Sequence, residues 1–415
     1  MSTPDSGRTW LLTNATVLDV VTGTMLPDRR VLIIDGSITE VGDHEVRHDA
    51  ARVLDLKGAT LLPGLIDGHV HVTAASADLS ALPEMSSYYV GAFAAATLRD
   101  MLYRGFTTVR DCGGADYGLA AAISQGLIVG PRLLFAGKAL SQTGGHGDVR
   151  HPGRDSRPPS YHCPDFGRVC DGVPECRRAA RDELRKGAHH LKIMLGGGVT
   201  SPTDRIDSTQ FALDEITAIV AEAQAAGRYV AGHAYTAEAI NRGLTCGVRS
   251  IEHGNLLDDS SIALFRSTGA YLVPTLVTYQ ALAEEGRAGG LAENVRHKLH
   301  EVLDFGLRAL EAAYRGGVNI VFGTDLLGPM HRRQLDEFRL RCEVVKPIDI
   351  IRSATVTAAA MIGAEGSLGV IAPGAHADLI AVDGDPLEHP HLLWELDHRR
   401  LLMAGGRLYH PLRNR

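Results

Sequence analysis

The chain is poor in aromatic residues, at 5%, and poor in cysteine, with six in 415 residues. Cys112, Cys163, Cys170, Cys176, Cys246 and Cys342 are too sparse for a disulfide framework and read as reduced thiols. No apolar run reaches the roughly 18 residues a membrane-spanning helix needs. The opening MSTPDSGRTWLLTNATVLDV lacks a basic stretch followed by an apolar one, so no secretory leader is expected and the cytoplasm is the default compartment. Positive charge is also in short supply: 42 Lys and Arg against 49 Asp and Glu leave a net −7. That balance argues against nucleic acid or an anionic membrane as partner. Several motifs are missing too. No G-x-G-x-x-G opens a helix after a first strand, no Lys-Ser/Thr follows the glycines at 196–198, and no G-x-S-x-G is present. Dinucleotide binding, a P-loop and a serine-nucleophile elbow are thereby disfavoured.

What remains is an ordinary globular composition, 45% hydrophobic and 22% charged, with enough chain for a large core. Both ends read as short strands broken by Gly and Asp, from WLLTNATVLDV to RVLDLKGATLLPG and again from ADLIAVDGDP to RRLLMAGGRLYH. Between them, apolar strands alternate with alanine-rich helical stretches such as residues 213–227. Strands are predicted over 65–72, 107–112, 132–140, 190–195, 229–234, 248–253, 270–276 and 318–325. Eight strands with intervening helices predict a (β/α)8 TIM barrel over 62–366. A small composite β-sandwich is expected from 1–61 and 367–415. One connection, 141–176, holds five prolines and no helical period, and reads as a lid-like loop.

Chemistry concentrates at the predicted strand ends. His69 and His71 end the first strand, and alternation puts both imidazoles on one face. Lys192 lies on a later strand, His233 and His253 end two more, and Asp325 ends the last. A lone histidine on an apolar strand is commonly a core residue, and HxH alone is weak. The ordered set is another matter, because all six groups would converge at the C-terminal mouth of one barrel. Imidazoles with a carboxylate suit Zn²⁺, Mn²⁺ or Fe²⁺, with zinc the first choice. An ammonium beside two metal ions would be repelled, so Lys192 is expected neutral or carbamylated. Arg110 and Asp111 read as a structural ion pair. Cys163, Cys170 and Cys176 are spaced too widely for the close C-x₂₋₄-C pair of a structural zinc site, and read as part of the lid.

These segments together, PGLIDGHVHV, TTVRDCGG, GGHGD, HLKIMLGGGVTSPTD, GHAYT, IEHGN and FGTDLLG, resemble the amidohydrolase superfamily. The likeness is to the branch of imidazolonepropionase-like hydrolases and Xaa-Arg/Lys and Xaa-Pro dipeptidases, and it covers nearly the whole chain. It implies two divalent metal ions, His69, His71 and Asp325 holding one and His233 and His253 the other. A carbamate on Lys192, derived from CO2, and a hydroxide would bridge them. Asp325 would act as general base and acid, with His146 and Tyr235 contacting substrate. The implied reaction is hydrolysis of an amide bond in a small substrate, a dipeptide or N-acyl amino acid. Cyclic amide, carbamate or ester hydrolysis is the alternative, and a non-catalytic scaffold is the alternative of another class. A homo-oligomer is expected, with neither nucleic acid nor membrane as partner.

Overall fold

The computed structural model describes residues 9–150, 153, 165–201, 203–288 and 296–409. It divides into two units, the first made of Met1–Asp67, Asp100–Thr108 and Arg341–Arg415, the second of Gly68–Arg99 and Val109–Leu340. In the first unit, β1 (Thr9–Asp19), β2 (Thr24–Ile34), β3 (Ser37–Gly42), β4 (Arg52–Asp55) and β5 (Thr60–Pro63) come from the start of the chain. β16 (Leu379–Val382), β17 (Arg399–Ala404) and β18 (Arg407–Tyr409) come from its far end. They form one sheet, ordered β18-β17-β16-β5-β1-β2-β3 with β4 beside β1. The join is antiparallel, with Leu62 opposite Ile380. Leu12, Val31, Ile33, Leu61, Leu379 and Leu401 are buried together against it. Asp35 and Gly36, at φ 48° and 82°, make the two-residue turn from β2 to β3, a geometry that Asp-Gly adopts readily.

The barrel strands are β6 (Leu65–Val70), β7 (Phe106–Asp111), β8 (Arg132–Phe135), β11 (Leu191–Met194), β12 (Val230–Thr236), β13 (Ser250–Leu256), β14 (Tyr271–Val273) and β15 (Asn319–Ile320). β6, β7 and β11 are buried along their whole length, as strands covered on both faces must be. Two sheets account for them, β6-β7-β8 and one running from β11 through β15. Backbone hydrogen bonds close the ring. His189 N donates to Phe135 O at 2.9 Å, Gly68 N to Phe322 O at 2.7 Å, and Asp325 N to His69 O at 2.8 Å. All eight strands expected from the sequence are therefore present, and the chain is an eight-stranded barrel with an added β-unit. Helix Leu213–Ala225 shows how the pattern works: Ile216, Ile219, Val220 and Ala223 are buried at spacings of three and four.

Two expectations need correcting. The strand predicted over 132–140 is two pieces, β8 and β9 (Ala139–Ser141), parted at Gly137 with φ 74°. There the backbone passes so close to Glu183 that a Cβ would meet its carboxylate at 2.3 Å. The connection 141–176 is not structureless at its end. β10 (Gly167–Val169) pairs with β9, and a helix begins at Gly172. Cys170 and Cys176 are buried in the barrel's packing there rather than in a lid. Cys163 lies outside the described residues. Among the described residues, no helix is long and apolar enough to cross a membrane.

Candidate active site

His69, His71, His146, Lys192, His233, Tyr235, His253 and Asp325 all line one cavity in the second unit. β6 delivers His69, and His71 follows it directly; β11 carries Lys192, β12 His233 and Tyr235, and β13 His253. Asp325 follows β15.

Each of the four strand histidines has one ring nitrogen fixed by the protein. His69 Nδ1 lies 2.7 Å from Glu252 Oε2, and His71 Nδ1 lies 3.0 Å from Gly113 O. His233 Nε2 lies 3.0 Å from Gly197 O, and His253 Nδ1 lies 2.7 Å from Thr275 Oγ1. The carboxylate and carbonyl oxygens can only accept, so they set the tautomers of His69, His71 and His233 and leave the other nitrogen as an electron-pair donor. Two of the remaining nitrogens converge with Asp325. His69 Nε2 and His71 Nε2 are 3.2 Å apart, and Asp325 Oδ1 lies 3.4 Å and 3.1 Å from them. Three donor atoms this close repel one another unless a proton or a cation sits among them. Burial pushes the His69 imidazole down, yet neighbouring acidic groups, Cys112 and Asp325 among them, hold it well above the usual histidine range. Burial would likewise raise Asp325, but His69 and His71 hold its carboxyl well below the usual carboxylate range. His233 and His253 are pushed well below theirs, chiefly by burial, and so stay neutral and able to ligate.

Lys192 is 2% exposed. Its Nζ has no hydrogen bond or ion pair to any described residue. The donor set of imidazoles and a carboxylate lining the same cavity suits a divalent metal. The residues present fit such a group.

The backbone is strained where the site needs it. His253, Thr275 and Asp325 have φ of 79°, 39° and 52°, in the left-handed region that non-glycine residues avoid. At His253 this undoes strand alternation. Glu252 and the next residue, His253, would otherwise face opposite ways, yet Glu252 touches His69 and the His253 ring lies 5.2 Å from the same imidazole.

His146 stacks on His233 with ring centroids 4.3 Å apart, and its Nδ1 is 2.9 Å from Ser201 Oγ. Burial pushes it down to about 4. Ser201 donates in turn to Asp204, whose Oδ1 lies 3.3 Å from Lys298 Nζ. Gly198 lies against the ring, where a Cβ would fall within 1.9 Å of it. The Tyr235 ring lies 4.9 Å from His233 and 5.3 Å from His253, with burial raising its phenol.

The expected Arg110–Asp111 pair does not form, because adjacent strand residues face opposite sides. Arg110 Nη2 instead donates to both Glu252 oxygens, at 2.7 and 2.9 Å, and its Nη1 to Ser250 Oγ at 2.9 Å. Asp111 accepts from the backbone N–H of Val72, Gly113 and Ala115. Glu252, Thr275, Phe166 and Tyr279 were not anticipated. Phe166 sits 4.8 Å from the His71 ring and Tyr279 6.1 Å from Tyr235. Only Glu252 left a signal, as the residue before His253 in a strand too polar at that point for a plain core position.

A family model described as the amidohydrolase family matches residues 60–408. Ochratoxinase of Aspergillus niger is 32% identical over 368 residues, spanning 84% of this chain and 75% of that protein. A solved amidohydrolase is 48% identical with a TM-score of 0.94, covering 97% of this chain and 98% of its own. A solved prolidase complexed with N-methylphosphonate-L-proline is 45% identical with a TM-score of 0.95, covering 97% and 99%.

Proposed function

Because the chain belongs to the amidohydrolase family and is a hydrolase acting on amide bonds, we propose that its cavity is a binuclear metal centre that cleaves dipeptides or N-acyl amino acids. The observation that carries this is that four anchored histidines, Asp325 and Lys192, which has no partner among the described residues, line one cavity. His69, His71 and Asp325 would hold one ion and His233 and His253 the other, zinc being the leading choice, with carbamylated Lys192 between them. Bound there, the ions supply polarisation of the scissile carbonyl and activation of water near neutral pH.

The protein's own groups do the rest. Asp325, its side chain 18% exposed, takes a proton on its carboxylate and returns it to the leaving amine. Tyr235 donates its phenolic O–H to the substrate's carboxylate. His146 binds the acyl side of the substrate from a ring held by Ser201 beneath and His233 behind. The apolar wall formed by Leu79, Met194, Val199 and Leu282 excludes water from the amide. On this reading residues 62–366 carry the chemistry in the cytoplasm, and 1–61 with 367–415 form a composite β-unit apart from it. Metal analysis followed by a screen of dipeptides and N-acyl amino acids tests it. Stoichiometric metal with turnover of at least one such substrate is expected; a metal-free protein inert to all of them overturns the reading.

A further inference from the structure

The first unit carries a second group of ligand-type side chains, unconnected with the cavity's residues. In HLLWELDH, His391, Glu395 and His398 are spaced four and three apart. The backbone there makes two short turns joined at Glu395, which is extended at φ −93° and ψ 104°. Pro390–Leu393 and Leu396–His398 are short 3₁₀ turns, with Trp394 N and Glu395 N both donating to His391 O at 3.1 and 3.0 Å. Leu392 and Leu393 are buried beneath, and Asp383 N donates to His398 O at 2.9 Å, so the turn is pinned at both ends. One donor atom from each of His391, Glu395 and His398 lies within 4.8 Å of the other two. Glu395 Oε2 and His398 Nε2 are 3.4 Å apart. Ligand atoms about 2.0–2.2 Å from a shared tetrahedral ion sit about 3.3 Å apart, so small side-chain rotations close the set. The His389 ring, 5.8 Å from that of His391, is within reach as a fourth ligand.

We propose that His391, Glu395 and His398 form a surface site for a divalent first-row transition metal. Two imidazoles and one carboxylate select Cu²⁺, Ni²⁺ or Zn²⁺ over Ca²⁺ and Mg²⁺, which want oxygen donors in larger number. A simple Glu395–His398 ion pair would need only one imidazole. The second, brought to the same point, adds nothing to such a pair and completes a three-donor face. That face leaves open positions to water, and its residues play no part in the proposed hydrolysis.

The test is titration of the full-length protein, with its resident metal retained, with Cu²⁺ alone. Calorimetry should show one equivalent beyond the resident complement, and paramagnetic resonance should show nitrogen coupling from two imidazoles. His391→Ala and His398→Ala should each weaken that equivalent at least tenfold, Glu395→Gln less, all with basal turnover and thermal unfolding unchanged. An extra equivalent indifferent to both histidine substitutions, or none in the wild-type chain, overturns the proposal. Its failure leaves the catalytic reading untouched, because the two share no residue.

Discussion

Glu252 holds His69. Its Oε2 lies 2.7 Å from His69 Nδ1, while Arg110 grips both oxygens of the same carboxylate from below. Burial would raise Glu252, but Arg110 and His69 keep it well below the usual range, so it is an anion on a rigid mount. A carboxylate that orients a ligating imidazole commonly contributes about 10–100-fold to metal affinity. Glu252→Gln should therefore lower metal occupancy by about that factor in a chelator competition. It also strips Arg110 of its charge partner, so chemical denaturation should report a loss of about 3–5 kcal/mol. Unchanged occupancy in a folded variant would show that His69 needs no such support.

Lys192→Ala should lose most bound metal and most activity, with partial rescue by a short carboxylic acid that replaces the carbamate. Full wild-type turnover without rescue would sink the bridging role.

Asp325→Asn keeps the shape of the side chain and removes its basicity. At least one metal should stay bound while turnover falls by about 10²–10⁴-fold. Unchanged kcat, measured on the metal-loaded variant, would rule out Asp325 as the proton carrier.

Tyr235→Phe should raise KM more than it lowers kcat. A lost hydrogen bond to a carboxylate is worth about 1.5–3 kcal/mol, or roughly 10–100-fold. An effect on kcat alone would move Tyr235 from substrate binding to the reacting bond.

Acid should weaken the chelator-treated chain through its buried neutral histidines. Burial holds His146 at about 4 and His190 well below the usual range, and neither ring nitrogen of His190 has a hydrogen-bond partner. Both revert on unfolding to about 6.5, so the unfolded chain binds more protons below that value. Stability should thus climb as pH rises from about 4 to about 6.5 and fall as pH drops through the same window. Melting curves at about pH 5 and about pH 7 check the sign, and His190→Phe should flatten the slope.

The fold was largely legible because its signals are periodic. Eight apolar strands spaced by amphipathic helices admit few arrangements, and the Asp35-Gly36 turn announces its hairpin. The candidate residues were legible because HxH, the strand lysine and the later histidines fall at equivalent strand ends. What escaped was local backbone geometry. Nothing in the letters at His253, Thr275 and Asp325 announces a left-handed φ, and alternation alone turns His253 away from Glu252. Arg110 was assigned to its sequence neighbour Asp111, whereas its partner lies 142 positions on, where only the closed barrel brings the two together. Phe166 and Tyr279 arrive from connections with no period to read.

The composite sheet carries a consequence for how the chain is made. Thr60 Oγ1 donates to Gly384 O, a contact between residues 324 positions apart, and β5 gains its β16 neighbour only there. At about 5–20 residues per second on a ribosome, the exposed edge of β5 waits roughly 16–65 s for that partner. An unpaired apolar edge held open so long is an aggregation hazard. Yield in a cell should accordingly depend on chaperone supply and translation speed more than on the barrel's final stability.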